Sequence, residues 1–200
     1  MPRVFGLTGG ITCGKSTVSR IFTENGVPVV DANRVSQEVV GPGTLGLRQL
    51  TLAFGEDILQ EDGCLDRVKL GARVFLNLAD RVRLNDILRP LIALRSGELM
   101  REHLSAGFEL VCFDAPALIE AGMHERFRPL VVVIAPEEVQ LRQLMKRGFA
   151  EAEAKAYLSS QLPNLAKTSL ADIVINNDGY KEDLSTKTLK ALSVLRSIYL

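Results

Sequence analysis

Gly9-Gly10-Ile11-Thr12-Cys13-Gly14-Lys15-Ser16 follows the short apolar run Val4 to Thr8 and precedes an amphipathic stretch with Val18, Ile21 and Phe22 on one face. That order reads as strand, glycine turn, helix. The eight residues satisfy G-x-x-x-x-G-K-[ST], and each fixed position has a chemical reason. The glycines let the backbone curl until successive N–H groups point inward at phosphate oxygens, at the start of a helix whose dipole favours negative charge. Lys15 adds a mobile cation for β- and γ-phosphates, and the Ser16 hydroxyl is placed to ligate Mg2+. The stretch Gly9 to Thr17 is therefore expected to bind a nucleoside triphosphate such as ATP. Cys13 sits inside the loop. A helix N-terminus beside a lysine activates a thiol, but a small residue that fits the curl is the simpler reading.

Working outward from the loop, further apolar runs at Val27 to Val30, Glu109 to Phe113, Leu130 to Ile134 and Ile173 to Ile175 supply four more strand candidates. Short β-branched runs separated by helical segments predict an α/β fold, a parallel five-stranded sheet with helices on both faces. From Thr44 to about Ala106 the chain instead reads as helices, with apolar spacing at Leu70, Val74 and Leu78, then Leu84, Ile87, Leu88 and Leu91, and a kink or break expected at Pro90. This is too long for a crossover and predicts a helical substrate-capping subdomain at about residues 44–106. A second helical excursion covers residues 136–170 and ends one helix at Gly148. The segment Leu184 to Tyr199 predicts a helix packed on the sheet. The core is thus assigned to residues 1–43, 107–135 and 171–200 of one domain.

Composition bounds the partners. The chain has 200 residues, 46% of them hydrophobic, with 24 Lys and Arg against 24 Asp and Glu. A net charge of zero provides no field to hold nucleic acid or an anionic membrane, so phosphate must be bound by a local device. No apolar run approaches a membrane span and no signal-peptide pattern is recognised at the start, so a soluble, cytoplasmic chain is expected. The three cysteines, Cys13, Cys64 and Cys112, are widely spaced and fit a reducing compartment. With two histidines besides, a structural zinc site is not expected, whereas carboxylates and hydroxyls suit Mg2+.

In such sheets ligands sit at the carboxyl ends of strands. Asp114 closes its strand and is placed as a carboxylate that holds the metal directly or through water. Asp31 closes the second strand, where it either orients or deprotonates an acceptor hydroxyl or caps a helix. Lys146 and Arg147, just before Gly148, are candidates to close over the nucleotide and neutralise transition-state charge, Arg147 above all. Arg142 and Lys155 suit a solvated face.

These blocks, together with V-P-V-V-D-A at Val27 to Ala32, F-G-E-D-I-L at Phe54 to Leu59, D-G-x-L at Asp62 to Leu65, R-P-L-I at Arg89 to Ile92, D-A-P-A-L-I-E at Asp114 to Glu120 and L-A-D-I-V-I-N-N-D-G at Leu170 to Gly179, resemble the dephospho-coenzyme A kinase family. The resemblance covers almost the whole chain. It implies a P-loop kinase core, a helical acceptor-binding subdomain and a lid, with ATP phosphorylating the ribose 3′-hydroxyl of dephospho-CoA. It also implies that Asn177 lies near the adenine and Glu120 near the acceptor.

The chain departs from the family pattern at acceptor and lid positions. Where D-A-D is usual it reads Asp31-Ala32-Asn33, and the second aspartate is the one placed at the acceptor hydroxyl. Arg89 replaces the usual histidine of H-P-L-I, Gln37 stands where a basic residue is expected, and Tyr157 and Thr168 fall near expected lid arginines. Loop and Asp114 are intact. Dephospho-CoA phosphorylation is the leading expectation. A (deoxy)nucleoside monophosphate kinase, with Arg89 as the clamp on the acceptor's phosphate, is the alternative. A nucleotide-binding regulator without turnover is the third; the intact Lys15, Ser16 and Asp114 count against it.

Overall fold

The computed structural model describes residues 3–178 and 181–199. Five strands form one sheet, β1 (Val4–Gly9), β2 (Val29–Asp31), β3 (Val111–Asp114), β4 (Leu130–Ile134) and β5 (Ile173–Asn176), in the order β2-β3-β1-β4-β5. The pairs β1/β3, β1/β4 and β4/β5 are parallel, with Leu7 opposite Asp114 and Gly9 opposite Val133. The helices are α1 (Lys15–Glu24), α2 (Ala32–Glu38), α3 (Leu45–Phe54), α4 (Arg67–Leu76), α5 (Leu78–Ser105), α6 (Glu137–Lys146), α7 (Glu151–Ser159), α8 (Asn164–Thr168) and α9 (Lys181–Tyr199).

Alternation along the strands explains the core. Phe5, Leu7, Cys112, Val131, Val133 and Ile175 are buried together with Val18 and Phe22 of α1 and Leu184, Ala191, Leu192 and Leu195 of α9. The other face of the sheet meets the segment after β3: Phe113 stacks on Phe127 at 4.3 Å between centroids. There a methyl at Gly6 would lie 2.9 Å from both Leu118 Cδ2 and the Phe127 carbonyl, so the close approach requires glycine.

The chain divides into two compact units, residues 1–30 with 102–200, and residues 31–101. The second has its own core of Val40, Leu50, Phe54, Ile58 and Leu70, with Leu84, Ile87 and Leu88 against it.

Three sequence expectations need correction in detail. Helix α5 runs through Pro90 without a break. Proline lacks the N–H that would bond the carbonyl four residues earlier, on Asp86, and both residues are exposed, so the lost bond costs little there. Leu78 does not continue the Leu70–Val74 stripe: α4 ends at Leu76, the Asn77 side chain caps α5 by accepting from the N–H groups of Ala79 and Asp80, and Leu78 is 66% exposed. Strand β2 begins at Val29 rather than Val27, because the Val27 N–H is spent on the Phe22 carbonyl at the end of α1.

Candidate nucleotide site

The loop leaves β1 at its carboxyl end and enters α1 at Lys15. Its glycines are dictated by contact. A methyl at Gly9 would lie 2.5 Å from the Val133 carbonyl oxygen. Gly14 adopts φ 93°, and a methyl there would meet Asn177 Nδ2 at 2.5 Å. Asn177, just beyond β5, donates from that amide to the Cys13 carbonyl at 3.0 Å. It therefore braces the back of the loop.

Asp114 ends β3 and is 3% exposed. Its Oδ1 pairs with Lys15 Nζ, and its Oδ2 accepts from Ser19 Oγ. Cation and carboxylate thus hold each other in place. Ser16 lies one residue further, on the first turn of α1, and is exposed.

Cys13 is 1% exposed, and burial pushes its thiol up, outweighing the Lys15 N–H and the Lys15 and Lys167 charges that pull it down. Cys112, also buried, is pushed well up by burial, with the Asp114 charge adding to it. The packing reading of Cys13 is therefore the physical one. Cys64 is partly exposed, although its Asp62 hydrogen bond raises it too. Brief iodoacetamide treatment of the native protein at pH 8 is expected to label Cys64 well before Cys13 or Cys112, read by peptide mass spectrometry; early labelling of Cys13 would mean the loop opens.

Arg147 caps the C-terminus of α6 with an exposed side chain, and Gly148 follows with φ 95°. Lys146 and Arg142 are exposed beside it, while Lys155 pairs with Glu151 at 2.7 Å. Tyr157 packs its ring edge on Phe149 at 5.2 Å, and Thr168 bonds the Leu165 carbonyl. Glu120 lies 3.6 Å from Lys167 Nζ. In the unit 31–101, Asp31 serves as the helix cap, accepting from the Asn33 N–H at 2.8 Å. Asn33, Gln37 and Arg89 are exposed.

Two glutamines absent from the sequence reading grip the loop. Gln140 of α6 donates to the Ile11 carbonyl at 2.6 Å, and Gln161, after α7, accepts from the Ile11 N–H at 2.9 Å. Gln140 had a signal: it is a polar residue four positions before buried Leu144 on the packed side of its helix. Gln161 had none.

A sheet with a G-x-x-x-x-G-K-S curl, a lysine at its helix start and an aspartate ending the neighbouring strand defines a P-loop protein of the kinase type. Shikimate kinase from Acinetobacter baumannii shares the fold, with a TM-score of 0.51 at 16% identity, covering 98% of this chain and 94% of that one. The dephospho-CoA kinase family profile matches residues 3–183, and the chain belongs to that family. The dephospho-CoA kinase of Geobacillus kaustophilus is 42% identical over 96% of each chain, and that of Arabidopsis thaliana 41% identical over 97% of this chain and 84% of its own. Among solved structures, a Thermus thermophilus protein has a TM-score of 0.82 at 31% identity, covering 96% of this chain and 97% of that one. Dephospho-CoA kinase from Campylobacter jejuni has 0.68 at 25%, with the same coverage.

Proposed function

We propose that the protein transfers the γ-phosphoryl group of ATP to the 3′-hydroxyl of dephospho-CoA. The observation that carries this reading is the intact loop with Lys15 and Asp114 in place, in a chain of this family. Loop N–H groups and Lys15 bind the phosphates; Lys15 leaves Asp114 to do so, exchanging a carboxylate for phosphate oxygens. Ser16 and Asp114 would hold Mg2+. Their donors are oxygens only, as a hard cation requires. The remaining positions of such a shell would be taken by phosphate oxygens and water. When bound, the ion neutralises charge on the phosphates. Asn177 supports the loop toward the adenine side, and Arg147 at the lid of residues 136–170 closes over the transferring group. Asn33 and Arg89, in the unit of residues 31–101, and Glu120, in the other unit, are the candidate acceptor contacts. The three free cysteines support a cytoplasmic setting.

The test is direct. With ATP and Mg2+, ADP release is expected with dephospho-CoA and not with any common (deoxy)nucleoside monophosphate. Turnover with a monophosphate alone would replace the acceptor, and turnover with none would leave a nucleotide-binding protein.

A further inference from the structure

Both polar groups of Ile11 are held by side chains from elements more than a hundred residues away. Its N–H goes to Gln161 Oε1 at 2.9 Å and its carbonyl to Gln140 Nε2 at 2.6 Å, while Thr12 Oγ1 donates to the Gln140 carbonyl at 3.0 Å. Thr12 has φ 55°, a conformation a β-branched residue seldom adopts unless its surroundings impose it. Behind Gln161 stands Lys167, 2% exposed, whose Nζ lies 3.4 Å from the same Oε1 and 3.6 Å from Glu120. A cation on that oxygen settles which way the amide faces: Oε1 toward Ile11, with its NH2 turned away.

The peptide plane turns these contacts into function. In a trans peptide the carbonyl of one residue and the N–H of the next point in opposite directions. With the Ile11 carbonyl drawn to Gln140, the Thr12 N–H is turned to the opposite side of the chain, away from Gln140. We infer that Gln140 and Gln161 are positioning residues that preset the Ile11–Thr12 peptide for the nucleotide's phosphates, and that Lys167, anchored by Glu120, fixes Gln161 in its working orientation. This deepens the proposed function and rests on the loop binding ATP, but not on which acceptor is used. It also gives Glu120 a role through Lys167. Because Gln140 and Gln161 both lie within the segment 136–170, they tie the loop's geometry to that segment.

The experiment measures ATP·Mg2+ affinity by calorimetry, which needs no acceptor, alongside the KM values for ATP and dephospho-CoA. Gln140→Leu and Gln161→Leu are each expected to weaken ATP by about tenfold, the size of one lost hydrogen bond to a charged ligand, with the dephospho-CoA KM within about twofold of the parent. Lys167→Met is expected to weaken ATP similarly and to add nothing to Gln161→Leu, whereas Lys167→Arg keeps a donor on Oε1 and most of the affinity. Folded variants with unchanged ATP affinity, or with both KM values raised together, would overturn the inference. Should Gln140→Leu fail to fold, Gln161→Leu and the Lys167 pair carry the same decision. A parent that binds ATP without phosphorylating dephospho-CoA would end the proposed acceptor and leave this affinity test in force.

Discussion

Lys15→Ala is expected to lower ADP formation with dephospho-CoA by roughly a hundred- to a thousandfold in kcat, the loss seen when one preorganised donor to developing charge is removed. Its side chain is the cation at the loop's helix start, and phosphoryl transfer depends almost wholly on positioning and charge stabilisation. In the structure that cation is already engaged, with buried Asp114, so its removal has a second consequence. Asp114 keeps the Ser19 hydroxyl but loses its counter-charge at 3% exposure. Taking the partner cation from a buried charge costs about 3–5 kcal/mol, and the Ser19 bond with Asp114's other contacts should bring the loss to the lower end or below. Melting temperature and kcat separate the two effects. Lys15→Arg restores a charge for Asp114 but places it on a wider, planar head, so it should recover most stability and little turnover. Full activity in Lys15→Ala would refute the assignment of the phosphate loop.

How much of this was legible beforehand depended on how far apart the interacting residues lie. Strand β4 and helix α1 were readable because each is a short patterned run between punctuating residues. Asp114 was readable as a strand-end carboxylate, though its partner Ser19 was not. The errors were local balances between competing rules. Pro90 removes a bond from the carbonyl of Asp86, an exposed residue, where the loss costs least, and the helix continues through it. The Leu70–Val74–Leu78 spacing looked continuous because the capping capacity of Asn77 was outweighed by periodicity. The grip of Gln140 and Gln161 on Ile11 joins residues 129 and 150 positions apart. No spacing rule reaches that far, and glutamine carries no motif. The same holds for Lys167 and Glu120, whose meeting depends on how α8 packs beside β4. Tyr157, which looked like a missing arginine, has a packing role on Phe149 that only coordinates disclose.

Asn33→Asp is the second large effect, and it is a gain. Asn33 replaces the carboxylate that the resembled family places at the acceptor hydroxyl, and an amide takes no proton. Asp31, the neighbouring carboxylate, is occupied as the cap of α2, accepting from the Asn33 N–H at 2.8 Å. That bond occupies its Oδ1, so a proton could go only to Oδ2, on a carboxylate that must also keep its place as the helix cap. In the proposed reaction of the present chain the hydroxyl proton would go to Asp31 or to the phosphate itself, which a loose transition state tolerates. A positioned general base contributes about 10²–10⁴-fold where proton transfer limits the rate. Since it limits only partly here, Asn33→Asp is expected to raise kcat with dephospho-CoA by roughly ten- to a hundredfold, with little change in the KM for ATP. The variant should also acquire an acid limb in its pH–rate profile, because the introduced carboxylate works only while ionised and its contribution is lost as pH falls through its pKa. Asn33→Ala, which adds no base, should stay within about twofold of the parent. A tenfold fall in the alanine variant would instead make the amide itself an acceptor-binding group, and Asn33→Asp would then be expected to gain nothing.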